Sequence, residues 1–139
     1  MHLFLVIFWL VLLLPGAANV VVAKHHNLNL KVLETQEIRA GETIFVKLPG
    51  NPAIGYKYKL NRNLSSGLHL VNVHLLGWLM TSKSQTIFFR RRDVLNVAIQ
   101  AKSPGQVDLA FDYYRRIGGR TRKSTSMVRV IIKPHKNSL

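Results

Sequence analysis

The chain of 139 residues offers acid–base chemistry only six carboxylates: Glu34, Glu37, Glu42, Asp93, Asp108 and Asp112. General acid or base catalysis needs a positioned group whose proton affinity is tuned by its surroundings. Asp108 and Asp112 are four apart, so in a strand they share a face. On a chain with 20 Lys and Arg, they read first as partners for those cations. Isolated Ser and His residues form no nucleophile–base pattern, and no Gly-rich phosphate loop leads into a helix. Cysteine is absent, which removes both disulfides and thiol chemistry. His69 and His74 are an odd number of positions apart, so in one strand they face opposite sides and make a poor metal pair. A terminus at Lys24-His25-His26 would offer amine, amide and imidazole nitrogens to copper(II), or would simply be a polar end. The reading is of a chain that is not an enzyme and needs neither metal nor cofactor.

The chemistry that remains is recognition. Basic residues gather in three places: Lys57, Lys59 and Arg62; Arg90, Arg91 and Arg92; and Arg115, Arg116, Arg120, Arg122 and Lys123. Phe88-Phe89 precede the second cluster and Tyr113-Tyr114 the third. Scattered lysines are explained by solubility, whereas runs of Arg beside aromatics are the mixture enriched at interface cores. The formal charge of +14 favours acidic protein surfaces or anionic lipid headgroups as partners. An exported chain is not expected to meet nucleic acid.

One stretch stands out by its punctuation: Asn51-Pro52-Ala53-Ile54-Gly55-Tyr56-Lys57-Tyr58. Pro52 fixes its own φ and pushes Asn51 toward an extended conformation, and Gly55 permits a sharp turn. Ala53 and Ile54 lie between them, uncharged. Such a segment serves either as an ordinary inter-strand turn or as a stiff loop that loses little entropy on entering a partner's cleft.

The elements that must hold this loop are strands. Apolar residues alternate in Leu28–Val32, Ile44–Leu48, Tyr56–Leu60, Leu68–Leu75, Leu95–Ala101, Val107–Phe111 and Val128–Ile132. Turn signals separate the runs: Ala40-Gly41, Pro49-Gly50, Ser65-Ser66-Gly67, Ser103-Pro104-Gly105 and Gly118-Gly119. No helical period follows the first 23 residues. Leu75–Met80 has neither period and reads as a strand end followed by a long loop. Seven or eight short strands in one domain predict a β-sandwich or a barrel.

Residues 1–23 read as a signal peptide. Leu3–Leu14 is an unbroken apolar run, short of the ~20 residues of a membrane span, and Pro15-Gly16 ends it. Cleavage after Ala18 or after Ala23 fits the small residues there; counting Val20–Val22 with the first run gives an uncleaved anchor instead. Export predicts a secreted or periplasmic protein. Residues 24–139 form one domain of roughly 115 residues, large enough to bury its own core.

The stretch from Ala40-Gly41-Glu42 to Tyr58, with Leu48-Pro49-Gly50-Asn51-Pro52 and Gly55-Tyr56-Lys57-Tyr58, resembles chagasin-type inhibitors of papain-family cysteine proteases. The likeness continues loosely to Lys133. It implies an all-β, immunoglobulin-like β-sandwich of seven to eight short antiparallel strands, with three tip loops that occlude a protease cleft. The first loop maps onto Asn51, Pro52, Ala53, Ile54 and Gly55, with Tyr56 and Tyr58 following. The second falls near Phe88, Phe89, Arg90 and Arg91, where the family's glycines are missing. The third falls near Tyr113, Tyr114, Arg115 and Arg116, where the family's Arg-Pro-Trp is missing. The resemblance implies a monomeric thiol protease inhibitor whose basic loops select an acidic cleft rim. The alternative is a non-inhibitory basic module that binds anionic envelope or cell surfaces.

Overall fold

Seven strands carry the alternating residues in the computed structural model, which describes residues 30–80 and 92–137. They are β1 (Lys31–Arg39), β2 (Thr43–Gly50), β3 (Lys57–Leu60), β4 (Val71–Leu79), β5 (Asp93–Ala101), β6 (Gly105–Ile117) and β7 (Arg120–Lys133). They form two sheets, in the orders β1-β7-β6-β3 and β2-β5-β4. Period-two alternation turns one face of each sheet inward. Val107, Leu109 and Phe111 of β6 and Val128, Val130 and Ile132 of β7 meet Val46 and Leu48 of β2 and Leu95, Val97 and Ile99 of β5. Phe111 and Leu48 are fully buried, each worth about 1.5–3 kcal/mol over exposure. The result is an all-β sandwich.

The structure departs from the expected strands in three places. β1 pairs with β7 in parallel, so the strands are not all antiparallel. A parallel neighbour requires a long connection, and here the rest of the domain supplies it. β6 and β7 are also long, at 13 and 14 residues, because their pairing continues to a two-residue hairpin. Gly118 and Gly119 both have positive φ, as a type I′ turn demands. Leu75–Leu79 is the end of β4, as expected; a register shift between Leu75 and Gly77 marks a bulge, and the extra residue erases the period. The first strand runs to Arg39, well past the alternation that ended at Val32.

Antiparallel registers bring three connections to one end of the sandwich. Gly50 faces Asp93, Leu79 faces Val94, and Lys57 faces Tyr114. The β2–β3, β4–β5 and β6–β7 connections therefore leave from the same tip. Residues 1–23, read from the sequence as a signal peptide, and Phe88, Phe89, Arg90 and Arg91 lie outside the described residues.

Candidate tip-loop binding site

Along β6, the inward side that carries Val107, Leu109 and Phe111 continues as Tyr113 and Arg115, and Tyr114 and Arg116 take the outer side. The Tyr113 ring stacks on Tyr56 with centroids 4.3 Å apart and lies 4.8 Å from Tyr58. Tyr58 in turn meets Trp78 of β4 at 5.9 Å. These rings close the tip end of the core, and Gly50 lies directly against them. A Cβ at Gly50 would stand 2.6 Å from Trp78 and 2.8 Å from Tyr113. Only glycine leaves the rings room to come this close.

Three side chains fasten the first loop from beneath. The Asn51 N–H donates to the Tyr113 hydroxyl at 2.7 Å, and the Tyr58 hydroxyl donates to the Pro49 carbonyl at 2.7 Å. Arg115 Nη1 donates to the Ile54 carbonyl at 3.1 Å, with its guanidinium 5.0 Å from the centre of the Tyr56 ring. Pro52–Ile54 forms a single 3-10 turn, closed by the Gly55 N–H on the Pro52 carbonyl at 3.0 Å. Gly55 completes it at φ +88°. Burial, with Tyr113 adding a like charge on ionisation, pushes the Tyr58 phenol up to about 12. Burial also raises Tyr113, against the opposing pull of the Asn51 N–H. Both phenols therefore stay neutral at physiological pH, as the bond that Tyr58 donates requires.

The residues expected to contact a partner divide into groups. Asn51 is 8% exposed and belongs to the stem of the loop. Ala53 and Gly55 are exposed, and Pro52, Ile54 and Tyr56 are partly so. Tyr58 is an anchor. Tyr114, Arg115 and Arg116 were expected in a third loop and instead lie in β6, paired with Lys123, Arg122 and Thr121. The turn itself is Gly118-Gly119, since pairing persists to Ile117 and Arg120. Arg115 turns to the first loop, and Tyr114 faces the opposite side with Lys59 5.1 Å from its ring.

Trp78 and Gly50 were absent from the expected site, and Tyr113 was expected only as part of a third loop rather than as an anchor of the first. The signal for Tyr113 was present: it is the next inward position after Phe111. Trp78 was hidden by the bulge, which shifts its parity.

Asp108 and Asp112 do share a face, and each has cationic company. Asp108 receives a bidentate bond from Arg129, at 2.8 and 3.2 Å. Asp112, 1% exposed, accepts from Asn61 and Thr125, with Lys123 at 3.9 Å. His69 lies in a 3-10 turn and His74 in β4, and no group of three metal-ligating side chains occurs among the described residues.

No protein-family model matches the sequence, and no curated protein sequence matches it significantly. Among solved structures, the chain is similar to amebosin in solution, with TM-score 0.51 and 19% identity over 75% of this chain and 98% of that one. Weaker likenesses are to the cysteine protease inhibitor EhICP2 from Entamoeba histolytica (TM-score 0.48, 16% identity, 72% and 86% covered) and to PbICP-C in complex with falcipain-2 (0.44, 18%, 74% and 92%). The amebosin match shows that the two proteins share a fold.

Proposed function

We propose that this chain is an exported inhibitor of a papain-family cysteine protease and that it places the Pro52–Gly55 turn in the active-site cleft. The observation that carries the reading is the loop's construction: an uncharged tip held in a 3-10 turn and fastened by Tyr58, Tyr113 and Arg115. The resemblance of Asn51–Tyr58 to chagasin-type inhibitors and the fold shared with amebosin support it.

The geometry suggests how such a loop blocks without being cut. Extended peptides are what strand-addition clefts accept. The tip is turned rather than extended, and the carbonyl preceding Gly55 is already bound by Arg115. For the Ile54–Gly55 bond to lie in a cleft as an extended substrate does, the turn would have to unwind and the loop would lose its bond to Arg115. Preorganisation also lowers the entropy lost on binding. Beside the loop, Ile117, Arg120 and Arg122 project from the hairpin on the same side as Arg115. They suit a cleft with an acidic rim.

The test is a Ki determination against a panel of papain-like proteases, with Ile54→Asp alongside. Inhibition that the variant abolishes supports the reading. Absence of inhibition at micromolar protein, or an Ile54→Asp variant of unchanged affinity, overturns it.

A further inference from the structure

The outer face of the four-stranded sheet, behind the loop, carries a second feature. Residues directly opposed in an antiparallel pair share a face. Lys57, Tyr114 and Lys123 therefore form one row across β3, β6 and β7, and Lys59, Asp112 and Thr125 form the next. Arg116 continues the face toward the hairpin, and Arg62 follows in the turn after β3. Five cations thus share one surface, and the carboxylate among them, Asp112, is buried beneath.

Two of these cations are held in place. The Lys59 ammonium stands 5.1 Å from the centre of the Tyr114 ring, and Lys123 lies 3.9 Å from Asp112. Asp112 is itself fixed by Asn61 and Thr125. Asp108 shares this face but lies four residues along β6 from Asp112 and is taken by Arg129. The remaining carboxylates lie elsewhere: Glu34 and Glu37 on β1 at the far edge of the sheet, Glu42 in the β1–β2 turn, and Asp93 at the start of β5. Like charges packed together repel unless an external anion relieves them. A groove of about 420 Å³ runs through the cluster, lined by Lys59, Arg62, Lys123 and Asp112 with the amides of Asn61 and Asn63.

From this we infer that the groove binds a linear sulfated polysaccharide. Its concavity admits a polymer strand carrying anionic groups at intervals, and the exposed Asn63 amide offers hydrogen bonds to sugar hydroxyls. A bilayer presents a plane of headgroups, which does not reach into a groove. Moreover, none of the large apolar side chains exposed among the described residues comes from β3 or the turn after it, and Ile117 lies on the loop side. The surface is separate from the protease-facing loop, so the two readings fail independently.

Heparin serves as the probe, with binding to the full chain measured against salt. Lys57→Gln/Lys59→Gln/Lys123→Gln is compared with Lys47→Gln/Lys102→Gln/Lys136→Gln, which removes the same charge from elsewhere. The groove variant should lose about tenfold or more in affinity at 0.15 M salt, with its salt slope reduced by roughly one per contact removed. The control should lose far less. In the unmodified protein, heparin should also shield Lys57, Lys59 and Lys123 from acetylation, a readout that needs no variant to fold. Equal losses in both variants, absence of that protection, equal binding of unsulfated dextran, or tighter binding to phosphatidylserine vesicles or an oligonucleotide each overturns the inference.

Discussion

Tyr113→Phe isolates a single hydrogen bond. The ring, its 4.3 Å stack on Tyr56 and its contact with Tyr58 are retained. What disappears is the hydroxyl that accepts the Asn51 N–H at 2.7 Å. Asn51 is 8% exposed, so its amide is left in a site from which water is largely excluded. A buried donor deprived of its acceptor costs about 1–3 kcal/mol. For a domain of this size, Tm should fall by roughly 4 °C per kcal/mol, hence by about 4–12 °C in a thermal melt followed by circular dichroism. The Asn51 amide should exchange faster with solvent deuterium. Inhibition should weaken less than the tenfold per 1.4 kcal/mol that full transmission to binding would give, because Tyr58 and Arg115 still hold the loop. An unchanged Tm with unchanged exchange at Asn51 would refute the anchor. A large rise in Ki at unchanged Tm would place Tyr113 against the partner instead.

Gly50→Ala sets a methyl 2.6 Å from Trp78 and 2.8 Å from Tyr113 and should cost about 1–3 kcal/mol by overpacking; an unmoved urea midpoint would show that the rings give way. Arg115→Gln loses the bond to the Ile54 carbonyl and the contact with Tyr56. Inhibition should weaken by roughly 5–30-fold, equivalent to about 1–2 kcal/mol. Arg115→Lys should weaken it similarly, since the planar fork is lost though the charge remains; full inhibition by the Lys variant would mean that charge alone matters. In alkali, Tyr58 keeps its proton in the folded state up to about 12, whereas the unfolded chain releases it near 10. The folded state then holds more protons, so stability should decline as pH rises through that window. Tyr58→Phe should flatten the decline, and an equally steep curve in the variant would discard this origin for it.

The strands were legible because inward side chains repeat every second residue, a local property that one segment displays by itself. The frame of the first loop was legible for the same reason: Pro52 and Gly55 act on their own backbone. What fastens the loop was not. The Asn51–Tyr113 bond spans 62 residues and the Ile54–Arg115 bond 61, and both exist only once the β3–β6 register is set. The bulge beyond Leu75 hid Trp78 by shifting its parity by one. The hairpin turn was in view as Gly118-Gly119, but the missing Arg-Pro-Trp drew attention upstream to residues that pairing keeps in strand.

Strand parity changes what the third basic cluster means. In sequence, Arg115 and Arg116 are adjacent members of one charged run. In β6 they face opposite sides, and Arg115 binds the protein's own loop carbonyl. Its guanidinium is therefore engaged within the fold and is poorly placed to meet an acidic rim. On the loop side, the cations still directed outward are Arg120 and Arg122, the latter opposed to Arg115 in the pairing. Their mutual repulsion with Arg115 favours an acidic group between them and the loop tip, because one carboxylate there would meet several positive charges at once. On the other side, Arg116 joins Lys57 and Lys123 around Tyr114. A single count of positive charge thus conceals two surfaces with different geometry. The loop side offers a turned backbone flanked by arginines, suited to a protein cleft. The outer side offers a lysine-lined groove, suited to a polymeric anion.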